Sequence, residues 1–355
     1  MFDQCIESDS FGVVSDAAIA CGALFGTRQW HEFMIRTTAD DILDHCLFSF
    51  ENTVGETSFV PLYLLSGSVY WRMGEVAANM TENVLRYPVA VLSSLYSFSN
   101  PLNSCSSSEG VLQVLDRALD AAEGWSAEAL LVTNLEFGPA LSVLRDKRPP
   151  DSEIRLDATC RARLPKSLDD YIGTLSKSGR SDMRRRHRRA SEAGVKFVQR
   201  WGSDAIDYLP QFLALTEQVA SNHDNPPVYD LATLEAATTV PGMVLLTAEA
   251  DGRILAGSIT FIHQDSCVVW SAGVHYPALN THHPYVFLFA ETVELAIALG
   301  CRWVDYGRRT YEFKRRHGLY FTDLHTFVYH TSKTDAGLGS RMRQMDESMS
   351  AYMGF

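Results

Sequence analysis

Apolar positions change their period several times along this chain, and each change marks an element. The first 40 residues read as a lead-in that holds a helical turn around 28–34. Strand-like runs follow at His45–Phe50 and Thr57–Leu64, and the polar turn around Gly55 between them predicts a hairpin. Asn100–Gly110 is rich in Ser and Asn and reads as a loop. Val111, Val114, Leu115, Ala118 and Leu119 then recur at helical spacing up to Gly124, before a short apolar run, Ala129–Thr133, that reads as a buried strand. Lys147–Ser152, polar and broken by Pro149 and Pro150, is the expected boundary between two halves.

The second half repeats that order. Ile154–Leu164 alternates as a strand, and Ser167 caps a helix whose apolar stripe is Leu168, Tyr171, Ile172 and Leu175. That helix is expected to run on through the arginine-rich stretch to Gly194. A short strand at Val195–Val198 and an amphipathic helix at 206–219 follow. Met243–Glu249 and Ile254–Phe261 flank Asp251-Gly252-Arg253 as a hairpin, and Cys267–Gly273 is the third strand. A helix over 285–299, a strand at Trp303–Tyr306, a short helix, a last strand at Leu324–Tyr329 and a helical tail over 340–352 complete the pattern. The expected domains are 1–150, 151–335 and a terminal helix at 336–355.

The chain has 355 residues, 46% of them hydrophobic, enough for two cores. Net charge is −12, which excludes nonspecific coating of nucleic acid or anionic membrane and leaves polyanion contact to a local patch. No DNA partner is expected. The seven cysteines are scattered, with no Cys-x-x-Cys pair, and point to a reducing compartment rather than a disulfide framework or zinc site. With no basic region leading a long apolar run and no stretch long enough to span a bilayer, the expected location is the cytoplasm.

The order hairpin, third strand, helix, strand, last strand resembles the core of the GNAT acyltransferase fold. Ala248–Gly257 looks like that fold's central hairpin. Arg180–Val195, a basic helix ending in Ala-Gly-Val, resembles the helix-to-strand segment of the Fem-type and CelD-like branch. Phe313-Lys314-Arg315-Arg316-His317-Gly318 is similar to the Phe-Lys-x-x-Phe-Gly segment of Fem-type peptidoglycan aminoacyltransferases, with His317 where that segment has Phe. The resemblance covers about residues 165–330. It implies an α/β (α+β) fold of tandem GNAT-like domains, each a mixed, mainly antiparallel sheet flanked by helices, the first being degenerate. It further implies transfer of an activated acyl group to an amine or hydroxyl of a small-molecule or cell-wall-type acceptor. The donor would be aminoacyl-tRNA or acyl-CoA, acting as a cosubstrate with no tightly bound cofactor. A third reading is a catalytically silent GNAT-like module that binds a phosphorylated ligand.

Two clusters carry the candidate chemistry. Arg180, Arg184 and Arg188 fall at i, i+4 and i+8 of one helical face, with Arg185 beside them. Like charges at that spacing weaken a helix, so either a bound polyanion such as a tRNA backbone or the protein's own acids must balance them. Arg308, Arg309 and Arg315 extend the set in the loop after Trp303–Tyr306. The link His275–Tyr285 carries two prolines and no glycine, which disfavours the close backbone approach that a pyrophosphate needs. Adjacent His282 and His283 point apart and lack a neighbouring carboxylate, so no metal is expected. Acyl transfer needs a base and a donor for the oxyanion. Asp305, at a strand end, is the first candidate base and His275 its rival. Tyr306 and Tyr311 could return a proton, and Lys314 could stabilise charge on the acyl oxygen. Asp305 equally fits a turn cap or an ion pair. The sequence leaves the oligomeric state open.

Overall fold

The computed structural model describes residues 20–36 and 40–353. Eleven strands and eleven α-helices follow in chain order: α1 (Arg28–Met34), β1 (Asp40–Glu51), β2 (Thr57–Ser68), α2 (Val69–Ala77), β3 (Val89–Leu92), α3 (Ser108–Gly124), β4 (Ala129–Leu135), α4 (Pro139–Lys147), β5 (Ser152–Arg163), α5 (Leu168–Thr174) and α6 (Lys177–Glu192). Then come β6 (Lys196–Trp201), α7 (Leu209–Asn222), α8 (Leu231–Ala237), β7 (Met243–Ala250), β8 (Arg253–His263), β9 (Ser266–Val274), α9 (Pro284–Ala298), β10 (Trp303–Asp305), α10 (Tyr311–Arg316), β11 (Tyr320–His330) and α11 (Leu338–Met353). No helix among the described residues is long and apolar enough to cross a membrane.

The chain divides into two compact units, one holding residues 20–35, 40–159 and 322–353, the other Arg36 and 160–321. In the first, β1 and β2 form the expected hairpin, β3 lies antiparallel to β2, and α3 carries the chain over to β4, parallel to β3. β11 is the antiparallel neighbour of β4. The face of α3 that the sequence marked as apolar (Val111, Val114, Leu115, Ala118) is buried against this sheet's core.

The second unit repeats the scheme. β7 and β8 form a hairpin whose turn, Asp251-Gly252, places both residues in the left-handed region, as a two-residue turn of this type requires. β9 is antiparallel to β8, and α9 crosses over to β10, parallel to β9. The end of β5 is the antiparallel neighbour of β10, through Arg161↔Asp305, Ala162↔Val304 and Arg163↔Trp303. β6 adds an antiparallel strand to β7. The repeated order explains why both halves read alike in sequence.

Several elements depart from the pattern-based expectation. α2 and β3 fall in a stretch, 69–92, whose apolar residues show neither a clear period nor a long run; β3 is only four residues, all buried. The helix expected from 168 to 194 is two helices, separated at Leu175 and Ser176. The helix expected from 206 begins as a 3₁₀ turn and becomes α-helical at Leu209, with Pro210 in its first turn.

α7 lies on a flat spot of the second sheet. Gly257 and Gly273 are directly opposed across β8 and β9. A Cβ on Gly273 would come within 2.7 Å of the Leu215 Cβ and 2.9 Å of its carbonyl carbon, and one on Gly257 within 3.0 Å of the Phe212 ring. Since part of the obstruction at Gly273 is backbone, it cannot rotate away. Gly273→Ala is therefore expected to destabilise by about 1–3 kcal/mol, seen as a lower denaturation midpoint. An unchanged midpoint would show that α7 can lift without cost.

Candidate functional site

The loop after β10 is built around two buried charges. Asp305 ends β10 with no solvent exposure. Its Oδ2 accepts from Arg161 Nε at 2.7 Å, and its Oδ1 accepts from the Gly307 amide at 2.7 Å. Arg161 is equally buried. Gly307, Arg309 and Thr310 then take left-handed backbone angles, which non-glycine residues adopt only when their surroundings enforce it. Lys314 supplies the enforcement. It lies on α10, buried, and its Nζ donates to the carbonyls of Tyr306 (2.7 Å), Gly307 (3.0 Å) and Arg308 (2.6 Å). One ammonium thereby uses its three donors to hold three consecutive residues.

α10 is in turn locked to the α5–α6 joint. Leu175 is extended, and Ser176 caps α6 by accepting from the Gly179 amide at 3.1 Å. Arg180 Nη1 donates to the carbonyls of Gly173 (3.2 Å) and Leu175 (2.6 Å), satisfying acceptors that the break exposes. A Cβ on Gly179 would sit 2.9 Å from the Arg316 carbonyl oxygen, and one on Gly318, at φ +86°, 2.5 Å from Leu175 Cδ2. Tyr171 donates its hydroxyl to the His317 carbonyl at 2.7 Å. The two basic segments marked in the sequence, the arginine helix and Phe313–Gly318, therefore meet through two glycines.

This geometry reassigns several candidates. Asp305 is a sealed ion-pair partner, Tyr306 is buried with its hydroxyl donating to the Phe289 carbonyl at 3.2 Å, and Lys314 is an internal brace. Burial pushes the Tyr306 hydroxyl well above its ordinary range, which further disqualifies it as a ready proton donor. His275 is half-buried beyond the end of β9. Because Asp305 is level with Val268 in register, His275 lies seven residues further along, about 20 Å at strand rise. It is not a neighbour of Asp305. Tyr311, half-buried, opens α10 and packs edge-on against Phe321. Arg180 acts on its own backbone.

The remaining arginines stay at the surface, paired with acids. Arg184 reaches Asp169 at 3.3 Å, Arg185 reaches Asp182 at 2.6 Å, Arg188 reaches Glu192 at 3.5 Å and Arg315 reaches Glu312 at 3.8 Å. Their side chains are half or more exposed, so each pair contributes at most about 1 kcal/mol and an incoming anion can displace it. Arg308 and Arg309 are half-buried in the loop. An open pocket of about 540 Å³ lies beside this surface, lined by Ser178, Ser181, Asp182, Arg185 and Arg316. Burial works against ionisation of Asp182, but hydrogen bonds from Arg186 and Arg185 outweigh it and hold the carboxyl below its usual range. At the start of α9, the His283 imidazole is held below its ordinary value by burial and then by the charges of Arg186, Arg189 and Arg185, which places the α6 cations near that helix start.

Sequence reasoning passed over Arg161, Gly179 and the two serines, and marked His317 only as a departure from the Phe-Lys-x-x-Phe-Gly segment. Arg161 shares its strand with Glu153, Arg155, Asp157 and Arg163, so spacing did not mark it as the buried one, and Ser178 and Ser181 gave no signal either. His317 is buried, stacked on Phe313 at 4.0 Å between ring centroids. Its Nδ1 lies 2.7 Å from the Phe313 carbonyl oxygen and so carries the proton. Burial lowers its pKa.

Two outcomes follow. Asp305→Ala is expected to cost about 3–5 kcal/mol in urea unfolding by stranding Arg161, while Arg161→Met/Asp305→Leu recovers most of it. A normally stable Asp305→Ala would restore Asp305 as an accessible base. For His317, the folded pKa lies below the unfolded one. Its contribution is full above the usual histidine range and is lost as pH falls through it. His317→Phe, which keeps the stacking, should lessen the loss of stability between pH 7 and pH 5; an identical pH profile would contradict this.

Residues 177–315 match the family model of the acetyltransferase (GNAT) domain. None of the curated proteins compared with the chain matches it. Among solved structures, the chain is similar to FemX, with 13% identity, TM-score 0.60, and coverage of 92% of this chain and 97% of that one. It is also similar to L-PGS from Bacillus licheniformis, at 10% identity, TM-score 0.57, and 92% and 98% coverage. A third is the C-terminal domain of a putative lysylphosphatidylglycerol synthetase from Agrobacterium fabrum, at 11% identity, TM-score 0.56, and 96% and 97% coverage. Residues 177–315 thus form a GNAT-type domain, and the chain carries its repeated hairpin–strand–helix–strand order on a fold that it shares with FemX.

Proposed function

We propose that the protein transfers an aminoacyl group from aminoacyl-tRNA to an amine or hydroxyl of a small-molecule or cell-wall-type acceptor. The observation that carries this reading is the surface made where Phe313–Gly318 docks on α6: Arg184, Arg185, Arg188, Arg315 and Arg316 stand exposed there in weak pairs, on a protein of net charge −12. A phosphodiester backbone is long enough to use several of them at once. The glycine-free link before α9, with His283 in the left-handed region at φ 46° and Pro284 next, supports a donor other than one gripped by its pyrophosphate there.

In the reaction the acceptor nitrogen or oxygen attacks the ester carbonyl carbon, the bond to the ribose oxygen breaks, and the acceptor's proton ends on that oxygen. Tyr311 is the hydroxyl we assign to relay it, since Asp305, Tyr306 and Lys314 are committed to the fold. That same commitment favours a second reading, a GNAT-like module that binds a phosphorylated ligand without turnover. The match to an acetyltransferase domain favours an acyl-CoA donor as a third.

Incubation with mixed radiolabelled aminoacyl-tRNAs or acyl-CoAs separates the three. Label is expected to leave aminoacyl-tRNA, to stop with RNase, and to weaken steeply with salt, by roughly 0.7 in log K per log unit for each phosphate contact. Tyr311→Phe should lower kcat more than KM. Discharge of acyl-CoA that is indifferent to RNase would sink the tRNA reading, and discharge of neither donor would favour the binding module.

A further inference from the structure

Ser178, Ser181, Asp182 and Arg185 fall at i, i+3, i+4 and i+7 of α6 and so form one stripe of that helix. Arg316, from α10, completes the lining of the pocket. Its presence there is no accident of a mobile surface chain. Gly179, buried next to the stripe, lets the Arg316 carbonyl come where any side chain would collide, and Gly318 and Tyr171 fix the residues that follow. The pocket wall is therefore set by backbone packing.

Its donors are largely uncommitted. Among the described residues the Arg316 guanidinium pairs with the exposed Glu312, at 3.4 Å, and Arg185 uses one nitrogen on Asp182. The Ser178 hydroxyl lies 3.2 Å from that of Ser176. Asp182 is spent on Arg185 and Arg186, so that it aims cations rather than offering a free anion. Two hydroxyls and two guanidinium groups around an open space match the non-bridging oxygens of one phosphoryl group, where guanidinium forks bind strongly.

We infer that the pocket of Ser178, Ser181, Arg185 and Arg316 is a discrete phosphoryl subsite that seats one phosphate of the donor. The assignment rests on the donor reading above and narrows it to four side chains. Three of them were not singled out by charge spacing. Arg184 and Arg188 do not line the pocket and contribute only general attraction.

Calorimetric titration at low salt tests it with three probes: inorganic phosphate, a nucleoside 3′-monophosphate, and a single-stranded tetranucleotide lacking a terminal phosphate. Ser178, Ser181, Arg185 and Arg316 are all exposed, so their variants should fold. Arg316→Gln and the double variant Ser178→Ala/Ser181→Ala are each expected to weaken the preferred probe about tenfold. Arg253→Gln, an exposed cation on the β7–β8 turn, should leave it unchanged. Tighter binding of the monophosphate identifies a terminal phosphate as the occupant, and tighter binding of the tetranucleotide a backbone phosphate. No binding of any probe by the wild-type chain, or equal losses in Arg253→Gln, overturns the subsite. Phosphate binding as expected with no donor discharged defeats the transfer reading and leaves the subsite standing. Transfer with unchanged donor KM in Ser178→Ala/Ser181→Ala does the reverse.

Discussion

A single buried ammonium organises the loop between β10 and α10. Lys314 gives its three hydrogens to three successive carbonyls, and through them it holds a loop whose residues sit in conformations they would not choose alone. Hydrogen bonds from a charged donor contribute about 1.5–3 kcal/mol each, several times what an exposed ion pair does. Removing the ammonium would also take this donor from the Tyr306 and Arg308 carbonyls, while that of Gly307 keeps the Cys160 amide at 3.0 Å. The brace explains why the basic segment has a fixed shape despite its exposed arginines.

From that brace the order propagates outward. Asp305 and Arg161 seal the base of the loop, α10 leaves it at a fixed angle, and two glycines let the end of α10 touch the start of α6. Charges divide by depth as a result. Those inside, paired or caged, are architecture; those outside, in weak pairs, are available to a ligand. The proposed transfer asks little more of such a surface than to position a reactive donor against a nucleophile, which by itself supplies much of a rate enhancement.

Much of the fold was legible because it is written twice. Hairpin, strand, helix and strand recur in both halves, and the helix stripes at Val111–Leu119 and Leu168–Leu175 are buried as their spacing implied. What stayed hidden follows from physics that spacing does not carry. β3 is too short to show a period, and the break between α5 and α6 depends on Ser176 and Arg180 meeting backbone atoms. The site was half legible. Residue type marked Asp305 and Lys314, but a carboxylate and a lysine look the same in sequence whether they face a substrate or, as here, a buried arginine and backbone carbonyls.

The dependence of the whole region on Lys314 can be measured directly by backbone hydrogen exchange in Lys314→Met. If the brace works as described, amides across 306–318 and the first turn of α6 lose protection together, while the β7–β8 hairpin keeps its own. A loss confined to residues beside position 314, with α6 unaffected, would contradict it.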